Sequence, residues 1–494
     1  MIDRPAFDGL VAQGYTAIPL ARTLQLDRDT PVSLFQRFAP ERSVFLLESA
    51  SAGEATGRYS FIGVDALWRL HTTAEGVVLE GVASPARVDR PLAVLRQLLQ
   101  RWRPYAPADL PDLFGGAVGY VAYDYVRRLE RLERDDPPEW PDVDFTFPGA
   151  VLIVDHRRYT TTAVAVAFVA SDTDAAYADA SRRLDSVVAA LLAPPPPVDP
   201  RIETLVATAP DARAGTEIRS HAASLSNVTR EQYLAMVEKA QEHIVAGDVF
   251  QVVVSQQFRR ATRVDPLTLY RVLRALNPSP YMYLLRAGET TIVGASPEML
   301  VRVHDGEVST RPIAGTRPRG LDDASDAALE AEILADEKEL AEHVMLVDLG
   351  RNDVGRVAEP GSVRVVSLAH VERYSHLMHL VSDVRGTLRA GLDAFDALFP
   401  AGTLTGAPKV RAMEIIDESE PARRGAYGGA LGYFALGGGA DFAITIRTLS
   451  LRDGVASVNA GGGVVAHSRP DAEYQECLNK ASAPLLALAI ADPA

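Results

Sequence analysis

The sequence predicts an α+β fold built on antiparallel sheet, and two observations carry that expectation. First, hairpin signals recur in the C-terminal half: "EMLVRVHDGEVSTRPI" turns at Asp305-Gly306 and "AITIRTLSLRDGVASVNAGGGVV" turns at Asp453-Gly454, and a two-residue Asp-Gly connection between alternating apolar runs favours a tight antiparallel turn. Second, helical segments around 229–246, 265–276, 325–349, 405–418 and 468–481 stand between groups of strands instead of alternating with single ones, so a Rossmann-like βαβ fold is not expected. The helix "TREQYLAMVEKAQEHIVAGD" is bounded by a Thr229 cap and a Gly247 stop. The longest purely apolar run, "AVAVAFVA" at 163–170, has the length of a buried strand and falls far short of a bilayer span. "FGGAVGY" at 114–120 echoes "YGGALGY" at 427–433; the pair reads either as strands in comparable places of the two halves or as glycine-rich strands of close backbone approach.

At 494 residues, with 47% hydrophobic and 23% charged residues, the chain is that of a soluble globular protein of one to three domains. Its 50 basic and 65 acidic residues give a formal charge of −15, which disfavours a nucleic-acid or anionic-membrane surface, so any anionic ligand must be captured locally. Cys477 is the only cysteine and "MIDRPAFDGL" lacks a signal-peptide layout, so a cytoplasmic location is the expectation. "LLAPPPPVDP" at 191–200 favours extended polyproline geometry, and "ATAPDARAGTEIRSHAASLSN" after it holds no lasting period. The expected division is an N-terminal part, 1–193, a linker, 194–227, and a C-terminal part, 228–494.

In "ADEKELAEHVMLVDLGRND" (335–353) an apolar stripe includes Leu340, Val344 and Val347, while Glu339 and Glu342 lie three residues apart beside His343. "SRPDAEYQECLNK" (468–480) likewise places Glu473 three residues before Glu476. Each pair reads either as a solvated helix face or as half of an oxygen-only site for Mg²⁺, which keeps part of its hydration shell; no Cys/His cluster offers zinc. "PAGTLTGAPKVRAMEII" (400–416) is a glycine-punctuated loop entering a helix at Pro408, with Lys409 expected to face an anion. It is not a Walker A loop, since valine follows Lys409. "NAGGGVV" (459–465) permits close backbone approach, and Arg447 in the preceding strand is a fork for a carboxylate. Together these features describe a pocket for a small polyanion.

Motifs along nearly the whole chain resemble the chorismate-utilising enzymes, and within them the anthranilate synthase component I branch: "LLES" (46–49), "NPSPYMY" (277–283), "GASPE" (294–298), "RPIAGTRPRG" (311–320), "AEHVMLVDLGRND" (341–353), "GTLTGAPKVRAMEIID" (402–417) and the terminal Glu-x-x-Glu helix. The resemblance implies two antiparallel β-sheets packed as a sandwich with helices outside, and Mg²⁺ held by Glu342 and Glu476, with Glu339 and Glu473 nearby or acting through water. It implies that Thr316, Tyr427, Arg447, Gly461, Gly463 and Lys480 bind the chorismate dianion, with Thr403 close by. Glu298 becomes the candidate general acid for the C4 hydroxyl and His379 the candidate for proton handling in pyruvate loss. Isochorismate and salicylate synthases carry a lysine base where this chain has Gln251, and aminodeoxychorismate synthases usually carry a nucleophilic lysine where it has Ala314; a glutamine cannot activate water and a methyl group cannot attack C2. The implied function is therefore conversion of chorismate and ammonia to anthranilate and pyruvate, the first step of tryptophan biosynthesis. Glu48, Ser49, Pro280, Tyr281 and Met282 would form a feedback site for tryptophan, with Glu48 and Ser49 at the ammonium end. The chain shows no glutaminase half, so glutamine use implies a separate amidotransferase subunit. A phenazine-type enzyme stopping at the amino intermediate, an aminodeoxychorismate synthase and a non-catalytic tryptophan or chorismate sensor are the alternatives.

Overall fold

Turn chemistry sets the hairpins. In the computed structural model, which describes residues 2–49, 57–81, 90–132, 134, 136–197, 199–209, 222–320, 322–374, 377–389 and 393–492, Asp305 and Gly306 have φ of 48° and 74°, and Asp453 and Gly454 have 51° and 72°. Two successive left-handed residues are what a type I′ turn requires. They fold Met299–His304 onto Glu307–Thr310 and Thr448–Arg452 onto Val455–Val464.

The strands described form one hydrogen-bonded antiparallel network with two branches. One branch passes through Ser43–Glu48, Tyr281–Ala287, Thr290–Ser296, Thr448–Arg452, Val455–Val464 and Gln251–Ala261. The other passes through Gly116–Val121, Ala430–Ala435, Ala440–Ile444, Met299–His304, Glu307–Thr310 and Leu377–Thr387, which carries Ile313–Pro318 and Arg364–Arg373. The two sheets expected of the sandwich are joined, because Val143–Asp155 pairs with Gly116–Val121 of the second branch and with Tyr59–Thr73, which in turn pairs with Ser43–Glu48 of the first. Phe45, Tyr283, Leu285 and Ile292 of the first branch and Val118, Tyr120, Leu431 and Ala443 of the second share one core. Helices close larger cores on the outer faces, one containing Phe258, Leu273 and Leu485, the other Phe145, Phe395 and Phe442.

The echoed glycine motifs turn out to be neighbours. Gly119 pairs with Gly432, and a Cβ on either would lie 2.0 Å from a carbonyl oxygen, of Asp144 or Asp441 respectively. Close approach is therefore their reason.

Pairing also crosses the proline-rich stretch: Phe45 lies opposite Leu285 and Val118 opposite Tyr433, so residues before and after it share both branches. Inside the expected linker, Pro200–Thr208 is a helix, begun by Asp199, which accepts from Arg201 N at 2.9 Å, and by Pro200 in the first turn; residues 198 and 210–221 lie outside the described residues. The helix expected over 325–349 is two, Asp323–Ala335 and Glu337–Gly355, because Asp336 accepts from the N–H groups of Lys338 and Glu339 and caps the second. The last helix runs to Ala491 through Pro484, since Leu485, Ala487 and Leu488 are buried in the core. Among the described residues no helix is long and apolar enough to cross a membrane.

Candidate active site

The capped helix Glu337–Gly355 and the terminal helix Pro470–Ala491 bring their acids together. Glu342 is pushed above the usual carboxyl range, first by burial, then by Glu339 and also by Glu476 from the other helix. Glu473 is raised too, by burial first and by Glu476 in part, against the lowering effect of the Ser468 hydroxyl, which donates to it at 2.7 Å. Glu339 lies 3.6 Å from the Arg317 guanidinium, and a Cβ on Gly462 would meet Glu473 Oε2 at 2.8 Å. Among the described residues no three His, Cys, Asp or Glu side chains make a closed cage for a metal. An open, all-oxygen pair with charge to be neutralised fits Mg²⁺, which takes one or two carboxylates and completes its shell with water and substrate oxygens.

Glu298 sits in the bend between Thr290–Ser296 and Met299–His304, and its carbonyl accepts from Ile444 N at 3.0 Å. It is buried, and that burial raises its pKa to about 7 against the lowering effects of Thr403 and Lys480. Thr403, in the single turn Gly402–Leu404, donates to its Oε1 at 2.8 Å. A carboxyl held half-protonated near neutrality is equipped to give up a proton.

His379 lies opposite Thr316 across two paired strands. Its Nδ1 is 2.9 Å from Thr316 Oγ1 and 3.4 Å from the Gly315 carbonyl. A carbonyl only accepts, so the ring proton belongs on Nδ1 and Nε2 is left as the basic nitrogen. Burial lowers the His379 pKa, keeping the ring neutral.

Arg447, expected within a strand, lies instead in the turn between Ala440–Ile444 and Thr448–Arg452, in a left-handed conformation with φ 52° that does not continue a strand. Burial depresses its pKa, opposed by Tyr427 and Glu476, and among the described residues its guanidinium has no hydrogen-bonded or ion-paired partner. A desolvated fork without a carboxylate is an anion site in waiting. Lys480 donates to the Gly461 carbonyl at 3.1 Å and lies 2.7 Å from Glu476, which links the anion side to the acid pair. The glycine strand has no room for side chains: a Cβ on Gly461 would lie 2.2 Å from Val254 O, and one on Gly463 2.5 Å from Gln251 Nε2. Gln251 is buried with an Oε1 that lacks a partner among the described residues.

Another expectation fails. Lys409 is not free for an anionic ligand; its buried ammonium lies 2.6 Å from the Asp353 carboxylate and 3.2 Å from the Leu398 carbonyl, so the lysine anchors the helix and the loop contributes Thr403 instead. Two contributions were missed in the sequence. Buried Arg424, paired with Glu420, donates to the carbonyls of Val253 and Leu404 and so ties the Gln251 strand to the Thr403 turn, with its guanidinium over Tyr427. Tyr374 packs its ring on His379 at 5.6 Å. The Arg424 contacts to Val253 and Leu404 join residues far apart in the chain, which no local pattern reports, and the Tyr374 contact depends on how the chain turns into the His379 strand.

Beside this site lies a cavity of about 720 Å³, and Glu48, Ser49, Pro280, Tyr281 and Met282 all line it. Glu48 is not a free carboxylate there: it accepts from the Tyr270 hydroxyl and pairs with Arg274 at 3.3 Å. The Tyr281 hydroxyl donates to Asp441 at 3.0 Å.

The acid pair, the unpaired arginine and the buried acid on a two-branched antiparallel body define a class, and comparison with known proteins agrees. Residues 43–486 match the family model described as chorismate binding enzyme. The chain belongs to that family. It is 48% identical over 505 residues to anthranilate synthase component 1 of Mycobacterium tuberculosis, covering 98% of this chain and 95% of that one, and 44% identical over 487 residues to the protein of that name from Acetivibrio thermocellus, covering 97% of each. The crystal structure of anthranilate synthase component I from Streptococcus pneumoniae superposes with a TM-score of 0.74 at 33% identity, over 94% of this chain and 99% of the other. The menaquinone-specific isochorismate synthase of Escherichia coli, at 18% identity and TM-score 0.69 over 98% and 99%, shares the fold.

Proposed function

We propose that this chain is the ammonia-transferring lyase that converts chorismate and ammonia to anthranilate and pyruvate, with Mg²⁺ as its ion. The observation that carries the reading is Glu298, a buried carboxyl with a pKa of about 7 that feels the Lys480 ammonium, the same ammonium that meets the Gly461 carbonyl and Glu476. Arg447 receives a substrate carboxylate, and Gly461 and Gly463 let the ligand approach the backbone. Glu342 and Glu476 hold the ion, which when bound neutralises the second substrate carboxylate. Ammonia adds at C2 as Glu298 protonates the departing C4 hydroxyl, releasing water. His379 Nε2 then handles the proton exchanged when pyruvate is eliminated and the ring becomes aromatic. Gln251 and Ala314 support ammonia addition over its relatives, because neither an activated water nor an enzyme nucleophile is available at those positions.

Ammonia is drawn from glutamine by a separate amidotransferase subunit, and tryptophan occupies the 720 Å³ cavity as inhibitor. Pro280, Tyr281 and Met282 supply its walls, and Ser49 with the outer side of Glu48 supplies polar contacts.

With chorismate, Mg²⁺ and ammonium, the purified chain is expected to release anthranilate, followed by its fluorescence, and an equal amount of pyruvate; with glutamine alone it should do neither. An amino intermediate without pyruvate would place it with the phenazine-type enzymes. No product at all, with tryptophan still bound in calorimetry, would make it a sensor. Arg447→Ala is expected to lower kcat/KM for chorismate by about two orders of magnitude, the usual consequence of stranding a buried charge; Arg447→Lys should recover little of it, lacking the planar fork.

A further inference from the structure

We propose that Tyr374 is a positioning residue for His379, and that by forming a wall common to the catalytic histidine and the neighbouring cavity it makes the histidine's orientation depend on what the cavity holds. The proposal rests on the catalytic reading of His379 given above.

One contact does not fix an imidazole. Nδ1 meets Thr316 and the Gly315 carbonyl on one edge, but the terminal torsion of histidine is broad, and the ring plane can swing about that edge while keeping the bond. The Tyr374 ring packs against it with centroids 5.6 Å apart and planes at 60°, which removes the swing. Tyr374 is itself held from the far side. Its hydroxyl donates to Glu372 Oε2 at 2.7 Å, Glu372 also accepts from Arg311, and Arg311 donates to Asp383 at 2.9 Å. Tyr374, Glu372, Arg311 and Asp383 all line the 720 Å³ cavity. Pro297 and Met299, on either side of Glu298, line it as well. A molecule entering the cavity thus meets the tether of Tyr374 directly, and any change it makes there is passed to His379 through one packed ring. The contiguity is physical, and the two arrangements it implies are with the tether kept and with the tether exchanged for ligand contacts.

The test uses Tyr374→Leu and Tyr374→Phe in the full chain, assayed with chorismate, Mg²⁺ and ammonium. Loss of the ring in Tyr374→Leu is expected to lower kcat roughly tenfold, the rate equivalent of an aromatic packing energy, with KM for chorismate within about twofold and the melting temperature little changed. Tyr374→Phe keeps the packed ring and should recover part of the kcat lost in Tyr374→Leu, yet it cuts the tether, so tryptophan should bind it by calorimetry while inhibiting it several-fold less than the unaltered chain. An unchanged kcat in Tyr374→Leu, or a loss seen in melting temperature and KM that Phe does not rescue, would overturn the positioning role. Full inhibition of Tyr374→Phe by tryptophan would overturn the coupling. If the unaltered chain makes no anthranilate, it is the functional reading that fails; if it does so without responding to tryptophan, the coupling to this ligand fails and positioning is decided by the kcat pattern.

Discussion

Glu298→Gln is expected to lower kcat by about 10²–10⁴, the range for removal of a positioned general acid, while KM for chorismate moves little. The amide preserves shape and can still accept from Thr403, which now bonds Glu298 Oε1 at 2.8 Å, so what is lost is the proton. The pH dependence follows from the raised pKa of about 7: the acid is protonated below it, and kcat should fall as pH rises through it when free ammonia is held constant. Stability has the opposite lesson. The folded pKa lies above the ordinary 4.5, so the group's contribution is fully present below the unfolded carboxyl range and is lost as pH rises through about 7. A rise from 4.5 to about 7, at about 1.4 kcal/mol per pH unit, amounts to about 3 kcal/mol of penalty once the carboxylate is charged. Glu298→Gln should therefore melt higher than the unaltered chain at pH 8 and equally at pH 4; a variant less stable at both would contradict the burial argument. An inactive but more stable variant is the pattern of a group kept for function.

Chelation is expected to leave less than about 1% of the activity, restored by Mg²⁺, as expected if the ion neutralises substrate charge alongside Lys480 and Arg447. The ion should also be visible without turnover. Glu342 is held above its usual range by burial and by its acidic neighbours, so a cation binding there relieves repulsion in the folded chain alone and must raise its melting temperature, by about 2.7 kcal/mol of stability at a hundred times the dissociation constant. Glu342→Gln should abolish that Mg²⁺-dependent rise and nearly all activity, and should melt above the ion-free parent because the repulsion is gone. A melting curve of the unaltered chain indifferent to Mg²⁺, or activity surviving exhaustive chelation, would remove the metal from the reaction.

Much of the fold was legible because its signals are short. The Asp-Gly turns and the Thr229 cap and Gly247 stop are where turn chemistry places them, and the apolar run at 163–170 falls mostly within the strand Thr160–Phe168. What went astray was decided by partners elsewhere. Asp336 breaks the expected long helix by capping its second half, a local signal overlooked because the apolar stripe runs on. The helix after the proline run packs on Pro266–Leu276, and the two expected sheets fuse because Val143–Asp155 pairs with Gly116–Val121 of one branch and, through Tyr59–Thr73, is continuous with Ser43–Glu48 of the other.

The residues of the candidate site were likewise named by motif, but their states were not. Sequence alone determined which side chains are available: two acid pairs at helical spacing, a glycine strand, an arginine before it, a glutamine and an alanine where relatives carry lysines. Only the tertiary structure decided that Glu342 and Glu476 feel each other's charge, that Glu298 is dry enough to keep its proton, that Lys409 is tied to Asp353, and that Tyr374 leans on His379. Periodicity and turn chemistry act over a few bonds and are written in neighbours. Desolvation and Coulomb interaction act through space, and depend on which distant segments the packing of the two branches brings within a few ångströms.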